Sequence, residues 1–132
     1  MTAEELTDFA TRYTAAWCSH DPASVASFFA ENGSLQVNDS EPASGRSEIA
    51  KVAADFMATF PDLVVTLDRV TLTEGRAHYD WTLTGTAEST RRRVRISGYE
   101  EWTFDSNNLI EVSQGRFDPI NFYRQLSGPD SP

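Results

Sequence analysis

Leu6, Phe9, Ala10, Tyr13, Ala16 and Trp17 recur every three or four residues, a spacing that lays them along one face of a helix. Thr2 and Glu5 stand where a capping box would start that helix. A second helix is predicted after His20, capped by Asp21, with Pro22 in its first turn and Val25, Phe28 and Phe29 as its apolar stripe; it should end before Gly33. Leu35 and Val37 then alternate with polar neighbours over 34–38, the pattern of a short strand, and 38–45, with Pro42, reads as a loop. Ile49, Val52, Ala53, Phe56 and Met57 return to the helical period from about Arg46, and Pro61 forbids that third helix to continue.

From Leu63 the period is two. Val65 and Leu67 share a parity that Val70 and Leu72 do not, which predicts a bulge near Asp68 and Arg69. Ala77, Tyr79, Trp81 and Leu83 point to one side of the next strand, with His78, Asp80, Thr82 and Thr84 on the other. In the strand after it, Val94, Ile96, Gly98, Glu100, Trp102 and Phe104 oppose Arg95, Ser97, Tyr99, Glu101 and Thr103. A final strand from Leu109 to about Asp118 would follow a turn at 105–108 and put Ile110, Val112, Gln114, Arg116 and Asp118 on a single side. Helices first and strands after predict an α+β domain, with helices packed on one face of a largely antiparallel sheet. There is no internal repeat. Residues 127–132, Ser-Gly-Pro-Asp-Ser-Pro, read as a disordered tail, which leaves a single domain over 1–126.

A chain of 132 residues can bury roughly two-thirds of its unfolded surface, so its core needs no crosslink. The lone Cys18 forms no internal disulfide, and His20 and His78 lack the spacing of a metal site; no metal and no cofactor are expected. Twenty acidic residues against eleven basic ones, a net charge of −9, argue against nucleic acid or an anionic membrane as the main partner. The start Met-Thr-Ala-Glu-Glu is not that of a signal peptide, and no apolar run reaches the length of a membrane span, so a soluble, cytoplasmic protein is expected.

Against this background Glu100 stands out, an acid at a core parity between Gly98 and Trp102. A carboxylate there must find a partner, find water or take up a proton, and partial desolvation would raise its pKa into the range of a hydrogen-bond-donating acid. The alternatives are an ion pair with Arg116 or a register slip that returns Glu100 to solvent. Gln114, Arg116 and Asp118 would bring an amide, a cation and an acid to one strand end, either as the polar floor of a pocket or as an exposed end where Asp118 caps the turn at Pro119. Tyr13 and Trp17, one helical turn apart, are either core or the polar tips of a cavity wall. Arg91, Arg92, Arg93 and Arg95 fall at a hairpin, where edge protection is the simpler role, and His78 sits beside Asp80 on the polar side of its strand. There is no phosphate loop and no nucleophile elbow.

The order of helices and strands, with Tyr-Thr-Ala-Ala-Trp-Cys-Ser-His-Asp at 13–21, resembles the nuclear transport factor 2-like superfamily. Arg-Tyr-Thr-Ala-Ala at 12–16 and Ser-Glu-Pro-Ala-Ser-Gly at 40–45 resemble the bacterial ketosteroid isomerases. Asp-Pro-Ile-Asn-Phe-Tyr-Arg-Gln-Leu at 118–126 resembles the ending of the SnoaL-type polyketide cyclases, with Ser127 set between Leu126 and Gly128. The resemblance implies a cone-shaped roll of three N-terminal helices on a curved, mostly antiparallel sheet. By it, Tyr13 takes the place of an oxyanion-stabilising tyrosine, Glu100 that of a protonated acid, and Asp118 that of the cyclases' acid–base aspartate. The isomerases' base falls on Val37 or Asn38, with Asp39 close by, and the cyclases' histidine is not matched near Thr86 and Ala87. The epoxide hydrolases of this fold group an arginine with two acids, a set that Arg116, Asp118 and Glu100 imitate.

The expectation is a SnoaL-like or ketosteroid-isomerase-like protein, a cofactor-free acid–base enzyme acting on a small hydrophobic carbonyl compound by isomerisation, cyclisation or a lyase step. Asp118 would be the base, Glu100 and Tyr13 hydrogen-bond donors to the enolate oxygen, and Trp17, Phe56, Trp81, Trp102, Gln114 and Arg116 the substrate-binding residues. The other reading is a small-molecule-binding or dimerisation module. By resemblance, a homodimer would form through the outer sheet face with His78, Thr82, Tyr99 and Glu101.

Overall fold

In the computed structural model, which describes residues 1–127, the predicted helix-then-strand order holds. Helix α1 (Ala3–Cys18) starts at a complete capping box: Thr2 Oγ1 accepts from the Glu5 backbone, and Glu5 Oε1 accepts from the Thr2 backbone at 2.8 Å. It buries Leu6, Phe9, Ala10, Tyr13, Ala16 and Trp17, the predicted stripe, together with Thr14. Helix α2 (Pro22–Ala26) is shorter than its apolar stripe implied. Phe29 already belongs to strand β1 (Phe29–Val37), where it pairs with Ile110. The ladder with a distant strand overrides the local helical period. Gly33, expected beyond the helix end, lies inside β1, where a Cβ would come within 2.8 Å of the Ile110 carbonyl oxygen and only glycine fits without a shift.

Within the predicted loop the chain adds a two-residue strand, β2 (Ala43–Ser44), antiparallel to β1. Helix α3 (Arg46–Thr59) follows and ends directly before Phe60, the residue that precedes Pro61. Strand β3 (Val64–Thr73) carries the predicted bulge at Asp68, between Leu67 and Arg69. Strands β4 (Arg76–Thr86), β5 (Arg93–Phe104) and β6 (Ile110–Phe117) complete a six-stranded sheet of order β2-β1-β6-β5-β4-β3. Its neighbours are antiparallel except for β1 and β6, which run parallel, so the sheet is mixed. The alternation of β4 and β5 is as predicted: Ala77, Tyr79, Leu83, Val94, Ile96, Glu100 and Trp102 are buried under the helices.

Strand β6 corrects the sequence reading. Thr103 pairs with Val112 while Phe104 pairs with Ile110, so Glu111 is an extra residue and the side-chain parity flips after Ile110. Ser113 and Gly115 therefore face the core, while Val112, Gln114 and Arg116 face out. A fourth helix, α4 (Pro119–Ser127), was not foreseen. Its Gln125 side-chain amide accepts from the Arg95 backbone N–H at 2.7 Å and donates to the Arg95 carbonyl at 2.9 Å, satisfying a stretch of β5 that extends past its pairing with β6. Ser127, expected in the tail, closes this helix; 128–132 lie outside the described residues. Among the described residues no helix is long and apolar enough to cross a membrane.

Candidate active site

Helix α1 brings Tyr13 to the sheet through its buried stripe, and the alternation of β5 turns Glu100 to the same side. The Tyr13 hydroxyl lies 3.0 Å from Glu100 Oε1 and 3.3 Å from Oε2. Two further donors meet Oε1: the Trp102 indole Nε1 at 2.9 Å and the Ser113 hydroxyl at 2.7 Å. Tyr13, Trp102 and Ser113 are fully buried and Glu100 nearly so, at 8% exposure. None of these three donors is cationic, so the ion pair with Arg116 is not formed. Burial raises the Glu100 pKa above its ordinary value, and the hydrogen bonds from Trp102, Ser113 and Tyr13 offset part of that rise. Burial also lifts the Tyr13 phenol well above its usual range; the Glu100 charge adds to the effect and the Trp17 N–H opposes it. Beside this group Tyr79 stacks on Trp102 at 4.7 Å and hydrogen-bonds Thr14, whose hydroxyl donates to the Ala10 carbonyl. Burial raises the Tyr79 phenol as well.

Glu100 opens onto a pocket of about 60 Å³, several times the ~10–15 Å³ that one water needs. Its walls are the rings of Trp17, Phe56, Tyr79, Trp81 and Phe117 and the aliphatic side chains of Leu35, Val37, Val52, Val65 and Leu83, with Gly115 beside Glu100. Trp17 and Phe56 meet edge to face at 6.0 Å, as do Trp81 and Phe117. Gly98 makes room for the second pair: a Cβ there would lie 2.7 Å from Trp81 Cζ2 and would run into the Arg116 carbonyl oxygen. The Trp81 indole nitrogen is buried with no hydrogen-bond partner.

The expected site is thus brought together only in part. Tyr13 and Glu100 are joined; Trp17, Phe56 and Trp81 wall the pocket. Trp102 is core rather than wall, and reaches the site through its N–H. Gln114, Arg116 and Asp118 are not in the pocket. The bulge at Glu111 turns Gln114 and Arg116 outward, and Arg116 pairs with Asp39 at 2.9 Å. Asp118 is exposed, and its Oδ1 caps α4 by accepting from the backbones of Ile120 and Asn121 at 3.0 and 3.2 Å, the alternative role read from Asp118-Pro119. Asp39 is on the surface, far from supplying a base. Ser113 and Gly115 were missed, since the strand read without its bulge assigns them to solvent. On the outer face, His78 stacks on Tyr99 at 4.6 Å between Asp80 and Glu101, and Thr82 bonds Asp68 and Ser97.

Comparison with known proteins places this fold. The family model of the SnoaL-like domain matches residues 10–112. A protein with a ketosteroid isomerase-like fold from Catenulispora acidiphila, solved with trimethylamine, superposes with a TM-score of 0.83 at 16% identity, over 94% of this chain and 97% of its own. A protein named as a SnoaL-like polyketide cyclase, from Jannaschia, gives 0.82 at 14% identity, over 93% and 92%. SalBIII, an epoxide hydrolase/cyclase-like enzyme in pyran ring formation in the polyether salinomycin, gives 0.79 at 12%, over 92% and 97%. At these identities the likeness is one of fold. No curated protein matches the chain.

Proposed function

Because the chain belongs to the SnoaL-like domain family, we propose that its pocket serves cofactor-free acid–base chemistry on a small, largely apolar carbonyl compound, with Glu100 as the acid. The observation that carries this is a buried carboxyl, without a cationic partner, at the head of an aromatic pocket. Such a group holds its proton where an exposed glutamate has lost it, and gives it to a carbonyl oxygen as negative charge develops there. Among the described residues the wall holds no second ionisable side chain except the Tyr79 phenol, so in this reading the proton on the adjacent carbon leaves to solvent water. Isomerisation and ring closure both proceed through such an enol. The trimethylamine-bound relative supports a cavity for a small molecule.

The test is exchange of the α-hydrogens of cyclohexanone and cyclohexenone in deuterated buffer, followed by proton NMR. We expect exchange above the buffer rate, reduced about 100-fold or more in Glu100→Gln, whose amide still donates a hydrogen bond but has no proton to transfer, as for loss of a general acid. A ketone that binds without accelerated exchange would overturn the catalytic reading and leave a small-molecule-binding module. That second reading is favoured by the position of Asp118 outside the pocket. We carry the outer sheet face, around His78 and Tyr99, as the dimer surface.

A further inference from the structure

The two oxygens of Glu100 are not equivalent. Oε1 accepts from Tyr13, Trp102 and Ser113 at 3.0, 2.9 and 2.7 Å. Oε2 has only the 3.3 Å approach of the Tyr13 hydroxyl, longer than an ordinary O–H···O bond. Tyr13, Trp102 and Ser113 do not line the pocket, whereas Glu100 does. A carboxyl whose Oε1 is filled by three donors carries its proton on Oε2, because a proton on Oε1 would displace at least one of them.

We propose that Tyr13, Trp102 and Ser113 act as positioning residues that lock Oε1 of Glu100, leaving Oε2–H as the donor that meets the ligand, and that the pocket therefore selects uncharged molecules with one acceptor oxygen. Tyr13 then touches Glu100 and not the substrate, unlike the direct oxyanion contact implied by the sequence resemblance. The ligand class follows from the walls. A carboxylate would enter an apolar cavity to which the described residues offer no cation, and would lose its water without compensation. A ketone or cyclic ether loses little and gains one hydrogen bond from an acid held in place before binding. This rests on the reading of Glu100 as the pocket's acid.

The probe is cyclohexanone labelled with carbon-13 at the carbonyl, with cyclohexanecarboxylate as the charged comparison and the Glu100 carboxyl carbon followed by NMR. In the native protein the bound carbonyl resonance should move downfield, and cyclohexanecarboxylate should bind at least tenfold more weakly. Tyr13→Phe and Ser113→Ala should keep the downfield position of the ketone while raising the midpoint of the Glu100 titration by about one pH unit, since each removes a donor to the ionised form. Glu100→Leu should lose the downfield shift. If Tyr13→Phe loses it as fully as Glu100→Leu, the tyrosine touches the ligand and the lock is overturned while the acid reading stands. If the native protein binds the ketone with no shift, the acid reading falls and the lock with it. Should Tyr13→Phe fail to fold by circular dichroism, Ser113→Ala decides alone: an unmoved Glu100 midpoint overturns the proposal.

Discussion

At the scale of the residue, Glu100 ties the chemistry of the pocket to the stability of the fold. Burial raises its pKa in the folded chain above the ordinary value of 4.5. The folded protein therefore holds this proton to a higher pH than the unfolded chain does. The group's contribution is complete below the unfolded value and is lost as pH rises through the folded one, at about 1.4 kcal/mol for each pH unit between them. Gln keeps an oxygen for Tyr13, Trp102 and Ser113 and has no proton to lose. Urea melts of the native protein and of Glu100→Gln, paired at each pH, should give a stability difference that turns against the native protein above about pH 4.5 and levels off beyond the folded pKa. A difference that stays flat from about pH 4 to 8 would mean that Glu100 titrates like a surface carboxylate.

At the scale of the element, Gln114, Arg116 and Asp118 admit two readings from sequence, a pocket floor or an exposed strand end, and the bulge in β6 decides between them. Asp118 shares a parity with Gln114 and Arg116, but the parity belongs to a strand with one residue too many, and Asp118 instead starts α4. Asp118→Ala should cost about 1 kcal/mol as a lost helix cap, whereas Asp118→Asn, which retains an acceptor oxygen, should cost little. Ketone exchange should stay within about twofold of native in Asp118→Asn; a tenfold loss would return Asp118 to the chemistry. The elements legible in the sequence are those whose own residues settle them. The stripe and cap of α1, Pro61 after α3 and the clean alternation of β4 and β5 need no distant partner, and with them came Tyr13, Glu100 and the wall residues Trp17, Phe56 and Trp81. The bulge at Asp68 shows in its own strand as a broken hydrophobic parity. The one at Glu111 does not, because Ile110 and Val112 are both apolar and only the pairing with Thr103 and Phe104 exposes the insertion. Phe29 fits a helical stripe locally for a like reason, its ladder with Ile110 being 81 positions away. A signal for α4 was present: Asp-Pro is a cap followed by a first-turn proline, and Phe122, Gln125 and Leu126 follow at helical spacing.

At the scale of the whole molecule, the pocket and the proposed dimer face lie on opposite sides of one sheet, so β4 and β5 carry both. Odd positions of β4, such as Tyr79 and Trp81, serve the cavity, and His78 and Thr82 serve the outer face. The outer face is neither apolar nor uniformly charged: a His78–Tyr99 stack lies between Asp80 and Glu101, next to the paired hydroxyls of Thr82 and Ser97. Association there brings together two chains of net charge −9, a repulsion that salt screens over about 8–10 Å at ordinary ionic strength. The homodimer should therefore tighten, not loosen, as sodium chloride rises from about 10 to 150 mM, the reverse of an interface held by ion pairs. Light scattering should report twice 14.7 kDa at micromolar concentration, with dissociation on dilution shifted to lower concentration in salt. Tyr99→Glu puts a like charge beside Glu101 on both partners and should yield monomers that still bind cyclohexanone, because Tyr99 faces away from Glu100. A mass of one chain at all concentrations would remove the dimer. A stable dimer indifferent to Tyr99→Glu would move it to another surface and leave the pocket's chemistry untouched.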